Sequence, residues 1–257
     1  MLATSFRHTN GRVFAAPGSS LSTDELMARV PSIFAEEAHE SRSGRYVYIP
    51  TIEIVEQLRR DGWAPTFAVQ AKPRDDARLG HAKHMLRLRH ASISLRDAQE
   101  APEIILINSH DGTTSYQMLA GYFRFVCCNG LVVGDGALEV RVPHRGQIIE
   151  GVREGAAAML THFQQTTYRV ETMKALPLSE GEQQAFASAA RALRFEKPDV
   201  VTPDAVNRAR RSADAGSDMW STFNRVQENI VRGGLMTRNP ARPVSYTHLT
   251  LPTNREV

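Results

Sequence analysis

A chain of 257 residues, 42% hydrophobic and 23% charged, carries enough apolar side chain to bury a substantial core and has the composition of an ordinary globular protein. Its formal net charge of +3 excludes a strongly polyanionic or polycationic chain. No apolar run is long enough to span a membrane and the N-terminus MLATSFRHTNGRVF lacks a signal-peptide core, so a cytoplasmic protein with no membrane contact is expected.

Residues 1–20 show no periodicity and are expected to form a flexible arm. Ser22-Thr23-Asp24-Glu25 reads as a capping box opening a short helix to about Val30, where Pro31 stops it. Arg45 to Ile49 reads as a strand. Thr51 reads as the N-cap of a helix carrying Ile52, Val55 and Leu58, with Gly62 as its left-handed C-terminal residue. Thr66 to Gln70 is a short strand, 72–80 a charged loop, and His84 to His90 a second strand. Alternation along that strand groups His84, Leu86, Leu88 and His90 on one face and Lys83, Met85, Arg87 and Arg89 on the other.

From Glu103 to Val142 the chain reads as an antiparallel meander. The dipeptides Asp111-Gly112, Asn129-Gly130 and Asp135-Gly136 separate β-branched and aromatic runs, as two-residue hairpin turns require. After Pro143 the period changes from two to 3.6. Ile148, Val152, Ala156, Met159, Phe163, Val170 and Met173 mark a long helix ending before Pro177. Ser179-x-x-Glu182 opens another helix, and Thr202-Pro203 caps a short one bearing Arg208, Arg210 and Arg211. A last helix runs from about Ser217 to Arg232, before Gly233-Gly234. Strands followed by helices predict an α+β fold, an antiparallel meander sheet over about 45–142 followed by helices over about 146–234 in one domain spanning 21–243.

Three blocks within this pattern carry a resemblance. Asn108-Ser109-His110-Asp111-Gly112 with Gly121-Tyr122-Phe123-Arg124-Phe125-Val126-Cys127-Cys128-Asn129-Gly130 is similar to the central signature of the phage/plasmid-like proteins grouped as domain-of-unknown-function family 932. Gly80 to Arg89 and Trp220 to Asn229 resemble two further blocks of that family, in the same order. The resemblance implies a bacterial mobile-element context and no catalytic residues. Residues 244–257 resemble the translation of a transposase adapter used in sequencing libraries. They are set aside as an artefact, with the natural chain expected to be interrupted near Pro243.

The chemistry-bearing residues support several readings. His81, His84, His90, His110, Cys127, Cys128 and His144 are ligand types, but no CxxC or HExxH spacing enforces convergence, so no metal site is expected. The adjacent cysteines point to opposite faces of a strand and are poor disulfide partners. Gly134-Asp135-Gly136 lacks the Lys-Ser/Thr of a phosphate loop and no GxGxxG opens a helix, so no cofactor is expected. Ser109, His110 and Asp111 are consecutive and cannot form a triad with one another.

Residues 72–90 hold six Lys/Arg against two acids, and Lys83, Arg87, Arg89 and Arg124, with Tyr116, Tyr122 and Phe123 as stacking surfaces, fit a positive groove with aromatic platforms. The expectation is a nucleic-acid-binding accessory protein, single strands favoured, acting in replication, recombination or counter-defence through Lys83, Arg87, Arg89, Arg124 and Tyr122. On this reading Arg87 and Arg89 face solvent, so exchanging both for Gln leaves the fold intact. The alternatives are a phosphoesterase using His84, His110, Asp111 and Arg124, and an interaction module that inhibits a host defence protein.

Overall fold

Six strands pair side by side in sequence order, each antiparallel to the one before it. The computed structural model describes residues 9–16, 18–37, 47–73, 80–93, 100–111, 114–124, 139–195 and 201–230, with Asn10, Phe123, Arg124 and Ala213 by backbone alone. The strands are β1 (Thr9–Phe14), β2 (Trp63–Ala71), β3 (His84–His90), β4 (Glu100–Asn108), β5 (Tyr116–Arg124) and β6 (Glu139–Val142), all antiparallel to their neighbours. Helices α1 (Thr23–Arg29) and α2 (Thr51–Arg60) lie between β1 and β2 in sequence. After the sheet come α3 (Ile148–Ala175), α4 (Glu180–Arg194), α5 (Pro203–Val206) and α6 (Met219–Ile230). The fold is α+β, a meander sheet followed by C-terminal helices.

By Cα proximity the described residues form two compact units, the first up to residue 164 and the second from residue 165. In the first, one face of the sheet packs under α1, α2 and the beginning of α3. Ala68, Leu86, Leu88, Ile104, Leu106, Met118 and Ala120 meet Leu26, Ile54, Val55, Leu58, Val152, Met159 and Phe163 there. Those strand residues are every second position, so the pleat itself sorts the core from the opposite face. The opposite face carries a smaller apolar cluster of Ile105, Ile107 and Leu119, with Met85 against it.

In the second unit, α4 and α6 pack through Ala187, Ala190, Val226 and Ile230, with Val201 and Val206. The Arg225 guanidinium donates to the carbonyls of Asp214 (2.7 Å) and Gly216 (2.5 Å) and to Gln183 Oε1 (2.9 Å). Asn229 donates to the carbonyls of Val206 and Arg208, both at 2.8 Å.

Both capping boxes form, at Ser22/Glu25 and Ser179/Glu182, and Thr202 caps α5. Gly62 has φ +88°, the left-handed residue that ends α2. Several expectations need correction. Thr9–Phe14 belongs to no flexible arm but is the edge strand β1, paired with β2 from Ala71 to Phe67. Val47 to Ile49 does not join a strand. It is held instead by Val47 N donating to the His144 carbonyl at 3.0 Å and by Tyr116 donating to the Ile49 carbonyl. Helix α5 stops at Val206, before the arginines assigned to it, because Arg210 and Arg211 turn to Asn229 and Glu228 of α6. The turns at 129–130 and 135–136, Cys127, Cys128, Gly233-Gly234 and 244–257 lie outside the described residues.

Gly11 lets β1 lie close to α1. A Cβ at that position would collide with the backbone carbonyl of Arg29, which no rotamer change can relieve. Gly11→Ala should therefore lower stability by about 1 kcal/mol or more through overpacking, read as a lower urea midpoint. An unchanged midpoint would show that β1 is not held against α1.

Candidate functional site

Two polar constellations stand out, one on each face of the sheet. The first closes the helix-covered face. Gln70, His84 and Asn108 sit side by side in one row of β2, β3 and β4, at the end of the apolar rows. All three are fully buried, and so are Ser32, Thr51, Ser109 and His110. Thr51 is the first residue of α2, and its side chain does not cap the helix as expected: the N-cap is Pro50. Its hydroxyl instead meets His84 Nε2 at 2.9 Å, His110 Nε2 at 3.0 Å and Asn108 Nδ2 at 3.0 Å. His84 Nδ1 lies 3.1 Å from the Ala82 carbonyl and 3.0 Å from Ser32 Oγ, while the Ser32 amide donates to Gln70 Oε1.

These contacts assign the protons. A carbonyl only accepts, so His84 carries its hydrogen on Nδ1 and accepts at Nε2 from the Thr51 hydroxyl. The single Thr51 hydrogen is then spent, and its oxygen accepts from Asn108 and from His110 Nε2–H. Among the described residues His110 Nδ1 is left as a buried lone pair with no hydrogen-bond partner. His144 Nε2 likewise faces two oxygens, Asn108 Oδ1 at 3.0 Å and the Thr114 carbonyl at 3.2 Å, and donates there.

Burial holds these rings neutral. The His84 pKa falls to about 4, with the Ala82 hydrogen bond and Asp111 opposing the desolvation. That of His110 falls to about 2, through desolvation and then through His84, His144 and His81 nearby. His144 is also lowered, chiefly by burial. A ring so reluctant to accept a proton, with no exposed surface, is a poor general base at neutral pH.

His84 and His110 do come together, with ring centroids 5.4 Å apart, and Asp111 acts electrostatically on His84. The four-residue phosphoesterase set is nevertheless not assembled. The register puts Arg124 opposite Glu100, eight residues along β4 from Asn108, or about 25 Å at the usual rise per residue. Among the described residues no three His, Cys, Asp or Glu side chains are grouped to hold a metal ion. His81 bonds the Glu37 carbonyl and His90 the Asp61 carbonyl.

The second constellation lies on the opposite face. Glu103 is fully buried, and both expected arginines converge on it: Arg87 Nε at 2.6 Å from Oε2, and Arg89 Nη2 at 2.5 Å from Oε1. Thr66 Oγ1 adds a bond to Oε1 at 2.9 Å. The guanidinium of Arg87 also lies over the Phe67 ring, 5.4 Å from its centroid. Each arginine side chain is only 12% exposed, which corrects the expectation of a solvent-facing pair. The cause is one buried carboxylate that needs two cations to satisfy it. Lys83 is half-buried on the same face, just before β3. Tyr116 and Tyr122 are buried on the helix-covered face, so neither offers a stacking surface. The side chains of Phe123 and Arg124 lie outside the described residues.

Thr51, Asn108, Glu103 and Ser32 were not singled out in sequence as members of a site. A polar residue recurring in the apolar register, as in His84 and Asn108, is the signal that could have found the buried row.

The chain matches the family model described as Domain of unknown function (DUF932) over residues 38–253. It belongs to that family. It is 47% identical over 228 residues to the UPF0380 protein YafZ of Escherichia coli (strain K12), covering 88% of this chain and 83% of that protein. It is 48% identical over 220 residues to the UPF0380 protein YfjQ of the same strain, covering 85% and 80%. No solved structure matches it significantly. Two of the motifs that resembled the family now have a structural role. Gly80 to Arg89 carries His84 and the Glu103 arginines, and Asn108 to His110 closes the buried row.

Both constellations predict stability. His84 and His110 titrate lower in the folded than in the unfolded chain, so unfolding takes up protons below the ordinary value near 6.5. Stability should be insensitive to these rings above that pH and fall as the pH drops towards 4, by about 1.4 kcal/mol per pH unit for each ring. Removing one ring in His110→Asn should reduce that slope by the same amount, and equal slopes in urea denaturation across pH 4.5 to 6.5 would contradict the assignment.

At Glu103 the expected effect of Arg87→Gln with Arg89→Gln is now a loss of roughly 3–5 kcal/mol, because a buried carboxylate is left uncompensated. Adding Glu103→Gln to that pair should recover part of the loss. If the double variant keeps the parental melting temperature, the triad contributes nothing to the fold.

Proposed function

We propose that this chain is a nucleic-acid-binding accessory protein that captures the sugar-phosphate backbone on the exposed β1 margin of the sheet face opposite α1 and α2. What carries the reading is the charge of that face. The cross-strand register and alternation place Arg12, Lys83, Arg87, Arg89 and Arg141 there against the carboxylates of Glu103 and Glu139. Glu103 neutralises part of the arginine pair, and Glu139 pairs with Arg141 at 2.6 Å. Arg12 is exposed, and neither it nor Lys83 is ion-paired among the described residues. An exposed Arg12 and a half-buried Lys83, on a face whose carboxylates are already engaged, suit a polyanion that brings its own charge. A setting in a plasmid, prophage or integrative element, in replication, recombination or counter-defence, rests on the family resemblance alone.

The buried histidine row plays no part in this reading except to hold β3 and β4 in place. Binding is electrostatic and non-covalent, and each phosphate contact releases condensed counterions.

The test is fluorescence anisotropy with short labelled DNA and RNA over a salt series. Affinity should fall linearly with log salt concentration. Arg12→Gln, at an exposed position, should flatten the slope by about 0.7 for a single strand, or about 0.9 for a duplex, with the fold unchanged. If the parental protein binds no nucleic acid at low salt, the reading fails and the β1 margin becomes a surface for a protein partner.

A further inference from the structure

One exposed side chain on the same face is not explained by charge. Phe14, at the end of the edge strand β1, keeps 51% of its surface in solvent. It is not a loose apolar residue. Its ring lies 4.5 Å from that of Phe67, at an interplanar angle of 45°, and Phe67 is in turn covered by the Arg87 guanidinium. Register explains the stack: Phe14, Phe67, Arg87, Ile105 and Leu119 form one continuous row across β1 to β5. Phe67 is nearly buried, so Phe14 is the outermost ring of a braced row. Arg12 stands two residues away on the same strand and face, about 7 Å along it at the usual rise.

Resting on the reading above, we infer that Phe14 is a base-stacking platform and that the ligand is a single strand with unpaired bases, laid along the exposed β1 edge of that face. A rigidly backed aromatic ring presents its π surface to a base without first losing side-chain freedom. Every base has such a face, so recognition of this kind tolerates any sequence, while the neighbouring cation holds the backbone. A duplex keeps its base faces stacked inside and offers none to a ring standing on a flat sheet. Edge strands ordinarily hide large apolar side chains because open edges invite association. An aromatic held at that edge beside an exposed arginine that has no ion pair among the described residues is therefore suited to a ligand that is both flat and anionic.

The experiment compares single-stranded DNA with a duplex of the same sequence, for the parent, Phe14→Leu and Phe14→Trp. Leu keeps apolar bulk and loses the π face. Single-strand affinity should drop about tenfold or more, in line with the usual worth of one base–aromatic stack. Duplex affinity, the salt slope and the urea midpoint should all stay at parental values. Trp should restore single-strand binding, and its emission should be quenched by the single strand and not by the duplex. Equal single-strand affinity of parent and Phe14→Leu, with Arg12→Gln still altering the salt slope, would overturn the stacking role and leave the binding reading standing. No binding by the parent would remove both. Concentration-dependent dimerisation in sedimentation that Phe14→Leu abolishes would overturn the inference in favour of a second copy of this chain on the edge.

Discussion

The Thr51 hydroxyl is the point on which the first unit depends. It sits at the first turn of α2 and reaches His84 of β3, Asn108 of β4 and His110 just beyond β4, all without exposed surface. A hydrophobic core is tolerant of rotation and sliding, since one aliphatic contact resembles another. A buried hydroxyl with one hydrogen and two lone pairs is not, because any shift leaves a donor or acceptor unmet in a place water does not reach. Apolar burial thus drives α2 onto the sheet, and the polar row decides where it stops. Ser32 and Gln70 extend that control to the turn that follows α1.

The two faces of the sheet handle polar groups differently. On the helix-covered face the groups are neutral and satisfied by one another, with the histidine rings kept uncharged by desolvation. On the opposite face a full charge is buried, and Glu103 is tolerable only because two guanidiniums and a hydroxyl surround it. A charged triad of this kind contributes little net stability relative to an apolar filling, yet it fixes the arginines in place. The same arrangement braces Phe67, and through it Phe14.

Much of this architecture was legible in sequence. The period-two alternation of His84 to His90, the capping boxes at Ser22 and Ser179, the left-handed Gly62 and the long 3.6-period run from Ile148 each rest on local chemistry that tertiary contacts did not override. What escaped reading was non-local. β1 has no strong alternation of its own and becomes a strand because Phe67 to Ala71 offers it an edge. Thr51 carries the sequence mark of an N-cap, and only the approach of two histidines more than thirty residues away gives its hydroxyl a better use. Likewise Arg87 and Arg89 look solvated until Glu103, on the neighbouring strand, is brought beside them. Single-residue chemistry is visible in one dimension, whereas pairing between strands is not.

Helix α6 shows what such pairing does elsewhere in the chain. It is buried on all sides, yet it carries Thr222, Asn224, Arg225, Gln227, Glu228 and Asn229. A helix coated in leucine could settle one turn early or late at small cost. Arg225 threads its guanidinium to two loop carbonyls, while Asn229 holds two more and Glu228 receives Arg211. Sliding α6 by one turn would strand all of these groups together. The helix therefore behaves as a keyed shaft, with a single seating that its own side chains enforce. Substitutions among its polar residues would broaden the set of seatings before they emptied the core, so the damage would appear first as lost uniqueness of structure and only later as unfolding.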